Sequence, residues 1–349
     1  MKVLLVDPGS TYSTTEVHSG LRDGLVALGA SVVEYHYLGH LRHASRWMKV
    51  GFDEAGIRID PLLLDQGSMY EASTGALVWA LRDEVDVVLI VSGIIFSSRV
   101  VEMMRRAGIQ VGFIFTESPY DDERQAAKAA LASISWTNER ASADLIGARY
   151  LPMAYNPQMH FPCPPTNGSP RHDVVFVGVG YPERLALLEG VDWSGIDLGL
   201  YGDWKYVADD SPLRPFVHQG IIPNAKAIEL YRGAKVGLNL YRTCVDYWSN
   251  SGVTVAPGES LNPRAYELAA CGVVQVTEQR AEAREVFGEN VPCFTNSAGL
   301  EEEVRALLSD DQLRLAQRKR QVEAVAPHTY HERASRIVRD LRDIGVPHA

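Results

Sequence analysis

The stretch Asp86–Phe115, DVVLIVSGIIFSSRVVEMMRRAGIQVGFIF, decides the fold class. An apolar run, Asp86–Val91, leads through a short loop to an amphipathic segment, Ser97–Ala107, then to Gly108 and a second apolar run, Val111–Phe115. Apolar runs too short to be helices read as strands buried on both faces, and the amphipathic segment between them reads as a crossover helix. Gly108 sits just past the helix end, where a residue with positive φ is wanted. Such a unit implies a parallel sheet covered by helices on both faces.

The same alternation extends in both directions. Strands are expected at Val3–Val6, Ser31–Tyr35 and Ser133–Thr137, with helices near Thr15–Leu28, Tyr70–Arg82, Asp121–Ala132 and Glu139–Gly147. From Tyr155 the pattern breaks into the Pro-, Gly- and Asn-rich run YNPQMHFPCPPTNGSP, which continues neither element and marks an interdomain linker over 156–172. Alternation restarts at Asp173–Val177 and proceeds through Asp197–Leu200, Lys235–Leu240 and Val273–Val276. With 349 residues, against ~100–200 for an ordinary domain, the chain divides into two α/β domains, residues 1–155 and 173–327. Ligands bind such sheets at the carboxyl ends of their strands, so two of them face to face are expected to form one cleft.

Composition narrows the function. A hydrophobic share of 46% with 22% charged residues is that of a globular protein with full cores. The net charge of −10 argues against a broad basic surface for tracking a phosphate backbone. Arg314, Arg318, Lys319 and Arg320 form the clearest basic cluster, on a stretch that reads as a solvated helix face. No apolar run approaches the roughly 20 residues of a membrane span, and Met1-Lys2 leads directly into a strand, so a cytoplasmic protein is expected. Cys163, Cys244, Cys271 and Cys293 lie far apart without ligand spacing and read as reduced thiols. His18, His36, His40 and His43 share no metal-ligand spacing, and no metal site is expected.

The most informative segment for chemistry is PGESLNPRAYELAACG, Pro257–Gly272. Asn262 suits an N-cap, Pro263 the first helical position and Gly272 the C′ position, so a short helix with clear boundaries is expected. Its free N–H groups, its dipole and the Arg264 guanidinium would together favour a phosphate. Glu267, one turn in, can accept two hydrogen bonds from sugar hydroxyls. The competing account is a surface pair between Arg264 and Glu267, three apart on one helix.

With this segment the chain resembles the CgeB-like (spore maturation protein) glycosyltransferases of the GT-B group. The resemblance rests on Asn262-Pro263-Arg264 with Glu267 and Ala270-Cys271-Gly272, and on four further stretches in order: Phe115–Tyr120; Thr137–Arg140 with Tyr150–Ala154; Val175–Gly178 with Tyr181–Arg184; and His328–Tyr330 with Arg333. It implies a GT-B fold of two Rossmann-like domains, the first on the acceptor side and the second binding the donor. A terminal segment, 328–349, would return to the first domain. Glu259, eight positions ahead of Glu267, completes the Glu, seven residues, Glu signature of retaining GT-B enzymes. By that resemblance Glu267 holds the donor ribose, Glu259 faces the transferred sugar, and the donor is a nucleotide sugar, UDP-linked by family habit.

Other candidates stand beside plainer readings. Gly178 and Gly180 follow a strand, but Glu183 occupies the third glycine position of a dinucleotide fingerprint, so the loop reads either as backbone approaching a diphosphate with Arg184 nearby or as a tight turn. Tyr201 and Ile222 lie in loops suited to base and ribose, or to loop packing. Arg242 ends a strand, where it reaches the diphosphate or pairs with Asp246. Glu117, after a strand, is the candidate acceptor-side acid or base, or a helix-entry carboxylate. The loop Asp7–Tyr12 is expected to open on the cleft, and His40–Phe52, with Arg42, Arg46, Trp47 and Lys49, reads as an amphipathic acceptor grip. The expected activity is metal-independent hexosyl transfer from a nucleotide sugar to a hydroxyl with retention, with no tightly bound cofactor. A nucleotide-sugar 2-epimerase, a silent sugar-nucleotide-binding protein and a glucosyltransferase acting on hydroxymethylated DNA bases are the alternatives, the last disfavoured by the acidic charge. Acceptor and oligomeric state carry no motif.

Overall fold

The computed structural model describes residues 1–9, 14–54, 61–243 and 257–347. Two compact units result: Met1–Pro152 with Tyr330–Ala349, and Met153–Thr329.

The first unit is built in chain order from β1 (Lys2–Val6), α1 (Thr14–Ala27), β2 (Ser31–Tyr35), α2 (Tyr37–Glu54), α3 (Pro61–Arg82), β3 (Val87–Val91), α4 (Ser98–Arg106), β4 (Gln110–Phe115), α5 (Asp122–Ala129), β5 (Ile134–Thr137), α6 (Ala143–Ile146) and β6 (Arg149–Tyr150). The strands run parallel in the order β2-β1-β3-β4-β5-β6, with Leu4 opposite Val88 and Leu89 opposite Gly112. Val3–Val6 and Val87–Val91 are buried throughout, as strands with helices on both faces must be. Each such side chain contributes on the order of 1.5–3 kcal/mol by leaving water.

Local differences from the sequence reading have local causes. The amphipathic segment is itself a helix, α2, packed against a third helix that begins at Pro61 instead of Tyr70. The sixth helix is shorter than expected. Thr137 Oγ1 accepts from Glu139 N and Glu139 Oε1 from Ala141 N, which holds residues 138–141 in a turn.

The second unit comprises β7 (His172–Val177), α7 (Pro182–Glu189), β8 (Leu198–Gly202), β9 (Val217–Gln219), α8 (Asn224–Gly233), β10 (Ala234–Asn239), α9 (Pro263–Ala270), β11 (Val274–Glu278), α10 (Ala281–Phe287), β12 (Cys293–Phe294), α11 (Ser297–Ser309) and α12 (Asp311–Val325). Its parallel sheet has the order β12-β11-β10-β7-β8-β9. Renumbered within the unit this is 6-5-4-1-2-3, the Rossmann order, whose switch point lies between β7 and β10.

The stretch read as a linker is folded onto this unit. Thr166 N and Ser169 Oγ donate to Glu229, while Arg232 donates to the carbonyls of Met159 and Phe161. The unit boundary instead falls at Pro152–Met153. The chain then leaves the second unit beside its entry, with Tyr155 N donating to His328 O at 3.2 Å.

The last helix, α13 (Tyr330–Asp343), packs on α1 of the first unit. Gly20 and Gly24 leave room for Tyr330 and Ala334. The buried Trp136 Nε1 on β5 donates to Asp340 Oδ2 at 2.7 Å, and Arg149 pairs with Asp340 at 2.5 Å.

Candidate active site

The carboxyl edge of the second sheet gathers the loops after β7, β10 and β11. Entry into α9 follows its caps: Asn262 Oδ1 accepts from Ala265 N at 3.2 Å, Pro263 opens the helix, and Gly272 takes φ +74 beyond its end. The first-turn N–H of Arg264 has no intrahelical acceptor. Asn262 therefore spends its side-chain oxygen on the cap, and the helix start offers backbone donors.

Arg264 lies across the switch point. Its guanidinium stands 4.8 Å from the Phe176 ring centroid, and Nη1 donates to Leu240 O at 3.3 Å. A Cβ on Gly178 would lie 2.9 Å from Nη2, so glycine there admits the cation. Nε is buried without a partner. Among the described residues no ion pair joins Arg264 to Glu267. The plain surface-pair reading of these two residues is thereby set aside. Glu267 is half-buried one turn further on. Next to it, burial pushes the Cys271 thiol up to about 12, which leaves it an unreactive core residue.

The loop after β7 is tightly seated. Gly178 N donates to Tyr201 O at 2.8 Å and Gly180 N to Asp203 O at 2.8 Å. Gly202, at φ +130, allows its backbone to meet the Gly178 carbonyl, and the Trp204 indole covers Gly180. Gly180 is thus small because of Trp204.

Several expected ligand residues do structural work instead. Arg184 is 7% exposed and donates to the carbonyls of Val179, Leu240 and Tyr241, tying the β7 loop to the end of β10. Tyr201 folds back along the sheet, where its ring stacks on His218 at 4.3 Å and its hydroxyl bonds His172 Nε2 at 2.9 Å. Burial first, and then Asp197, raise its pKa above the ordinary tyrosine range. Ile222 packs into the cluster with Tyr201 and Tyr231, while its neighbour Ile221, 87% exposed, is the one offered to solvent.

Arg242 is held between two anchored amides. Tyr241 N donates to Glu278 Oε2 and Thr243 N to Glu183 Oε1, each at 2.9 Å. Asp246, its alternative partner, lies outside the described residues, as do Cys244 and Ser10–Tyr12. Glu259 is exposed on a loop clamped from the start of α10: Glu259 O accepts from Glu282 N, Leu261 N donates to Glu282 Oε2 at 2.5 Å, and Gly258 O accepts from Arg280. Sequence reasoning missed Arg280 and Glu282. The only signal for them is a pair of charges, Arg280-Ala-Glu282, immediately after a strand.

Glu117 stands at the carboxyl end of β4 in the first unit, where its carbonyl accepts from Tyr120 N at 2.7 Å. The stretches 115–120 and 137–140 meet there, with Thr137 Oγ1 and Gln125 Nε2 both donating to Ser118 Oγ at 2.9 Å. The basic cluster is a helix face: Arg314 pairs with Asp311, and Lys319 lies 4.0 Å from Glu323. Among the described residues no three His, Cys, Asp or Glu side chains are grouped to hold a metal, and no helix is long and apolar enough to cross a membrane.

Residues 182–339 match the family model described as glycosyl transferase-like. No curated protein matches the chain. Its fold is that of GT-B glycosyltransferase structures. It resembles the sucrose-phosphate synthase of Thermosynechococcus elongatus, with a TM-score of 0.67 at 12% identity over 99% of both chains. A structure described as a UDP-N-acetylglucosamine 2-epimerase from Listeria monocytogenes aligns with a TM-score of 0.57 at 13% identity, covering 98% of this chain and 96% of that one. An E. coli trehalose-6-phosphate structure bound with UDP-2-fluoro glucose gives 0.60 at 10% identity, over 98% and 99%.

Proposed function

We propose that the chain is a nucleotide-sugar-dependent glycosyltransferase, CgeB-like, whose donor diphosphate binds at the carboxyl edge of β7, β10 and β11. The observation that carries this reading is Arg264: a guanidinium laid over Gly178, with a buried Nε that has no partner and no ion pair to Glu267. Departure of a nucleoside diphosphate builds negative charge on its oxygens, so the protein's task is to neutralise that charge and aim the acceptor oxygen. Arg264 and the first-turn N–H groups of α9 take the phosphates without any metal, and Arg242 adds a second cation. Glu267 accepts from the ribose hydroxyls, and Glu259 faces the transferred sugar. Their spacing supports retention, and UDP is the favoured nucleotide, as in the E. coli complex of the same fold. Glu117 is assigned the acceptor-side acid or base. The second unit is then the donor domain and the first the acceptor domain of a cytoplasmic enzyme acting on a glycan, protein or small molecule.

Arg184 and Tyr201 drop out of the ligand set because their polar atoms serve the fold. The 2-epimerase reading keeps a specific support, a structure of that description with the same architecture. Calorimetric titration with UDP, UDP-glucose and UDP-N-acetylglucosamine tests the donor site. Binding weakened by ~1–3 kcal/mol in both Arg264→Ala and Glu267→Ala is expected for charged hydrogen bonds. Absence of binding to every nucleotide refutes it. Donor turnover without any acceptor selects the epimerase.

A further inference from the structure

Arg264 has a counterpart that the proposed donor chemistry has not used. Arg280 follows β11 and occupies the N-cap position of α10, with extended backbone at φ −139 and ψ 148. It is 6% exposed. Its guanidinium lies 4.2 Å from the Tyr241 ring centroid, Nη1 donates to Gly258 O, and Nε is buried without a partner. Arg264 is built the same way: ring beneath, one Nη on a loop carbonyl, Nε unpaired. The two residues hold on to consecutive parts of one edge, the end of β10 and the loop that enters α9.

A guanidinium keeps its charge at any physiological pH, and burying it without a counter-ion is strongly unfavourable. The carboxylates that flank it in sequence do not pair with it among the described residues. Glu278 accepts from Tyr241 N and Glu282 from Leu261 N, and among the described residues no ion pair involves Arg280. A residue serving only to hold the Gly258 carbonyl needs a single donor. Arginine here leaves Nη2 and Nε without partners among the described residues, beside the Nη1 that holds the loop carrying Glu259.

We infer that Arg280 is a further oxyanion-receiving residue of the donor site, taking a phosphate oxygen of the nucleotide or a carboxylate on the transferred sugar. The inference rests on the donor-site reading above. Its geometry suits either source, because a planar fork stacked on an aromatic ring presents its donors in one plane to a phosphate or a carboxylate alike. If the carboxylate is the source, the enzyme is specific for a uronic-acid donor.

The test uses the full-length protein, with UDP, UDP-glucose and UDP-glucuronate titrated calorimetrically into the wild type, Arg280→Met and Arg280→Lys. Circular dichroism and thermal melts establish that each variant is folded, and Arg280→Lys, which keeps the charge, is the second probe should the methionine variant unfold. A loss of about tenfold or more in affinity for all three nucleotides in Arg280→Met, partly restored in Arg280→Lys, assigns the phosphate. Tighter wild-type binding of UDP-glucuronate than of UDP-glucose, abolished in Arg280→Met while UDP binding is kept, assigns the carboxylate. Wild-type affinity for all three in a folded Arg280→Met overturns the inference and leaves Arg280 as a clamp on Gly258. If the wild type binds none of the three, the donor-site reading falls, and this inference with it.

Discussion

A single methyl group at Gly178 should weaken donor binding. The Cβ of Gly178→Ala would lie 2.9 Å from Arg264 Nη2, 2.9 Å from Phe176 Cζ and 3.1 Å from Phe176 Cε1. Ordinary contact begins at 3.4 Å, so about 0.5 Å must be found. Phe176 is fully buried in the core of the second unit and cannot swing away. The guanidinium, at the end of a flexible side chain, moves away, while the contact with Phe176 stays as overpacking that costs ~1–3 kcal/mol of stability. Gly178 has no positive φ, so alanine adds no backbone strain. A charge-assisted hydrogen bond displaced by half an ångström or more loses a large part of its strength, about 1–2 kcal/mol, or roughly 5–30-fold in UDP affinity. Calorimetric titration with UDP reads the loss, and a cooperative thermal melt shows that the fold is kept. Wild-type affinity in a folded Gly178→Ala protein would refute the placement of a diphosphate against Arg264.

Two further outcomes follow from the fold itself. Asp340→Ala removes the acceptor of the buried Trp136 indole N–H and the partner of Arg149. It should cost on the order of 1–3 kcal/mol of stability in urea unfolding while UDP affinity stays unchanged, because both bonds lie in the first unit. Glu229 is held down to about 2, chiefly by the Thr166 N–H and also by the Ser169 hydroxyl and Arg232. A carboxylate depressed from 4.5 in the folded state contributes stability that is present above pH ~4.5 and lost as pH falls towards ~2. Unfolding of wild type and Glu229→Gln between pH 6 and pH 2.5 should therefore converge at the acid end, and a difference independent of pH would contradict the assignment.

The elements themselves were largely written in local pattern. Val3–Val6, Val87–Val91 and Val111–Phe115 announce strands because a doubly covered parallel strand must be apolar at every position. Asn262-Pro263 and Gly272 mark the ends of α9 because capping is satisfied within a few residues. Arg264 and Glu267 were visible for the same reason, being one turn apart on a well-bounded helix. Ile222 was read as a ligand only from its loop position, and the side chain turned inward while Ile221 turned out. A loop has no period from which to predict that choice.

What the chain alone determined is therefore its class, its two α/β halves and the helix that heads the candidate site, all consequences of period and capping within about twenty residues. Tertiary structure decided which loops share an edge. The order β12-β11-β10-β7-β8-β9 sets the end of β10 beside the loop after β7, far earlier in the chain, and sets β11 on the other side of β10. That adjacency commits Arg184 to three carbonyls, lays Arg264 over Gly178 and aims Arg280 at Gly258. An arginine carries no mark in sequence that tells a structural clamp from a ligand. The difference lies in whether its donors meet carbonyls already in place, and only the folded chain brings those carbonyls within reach.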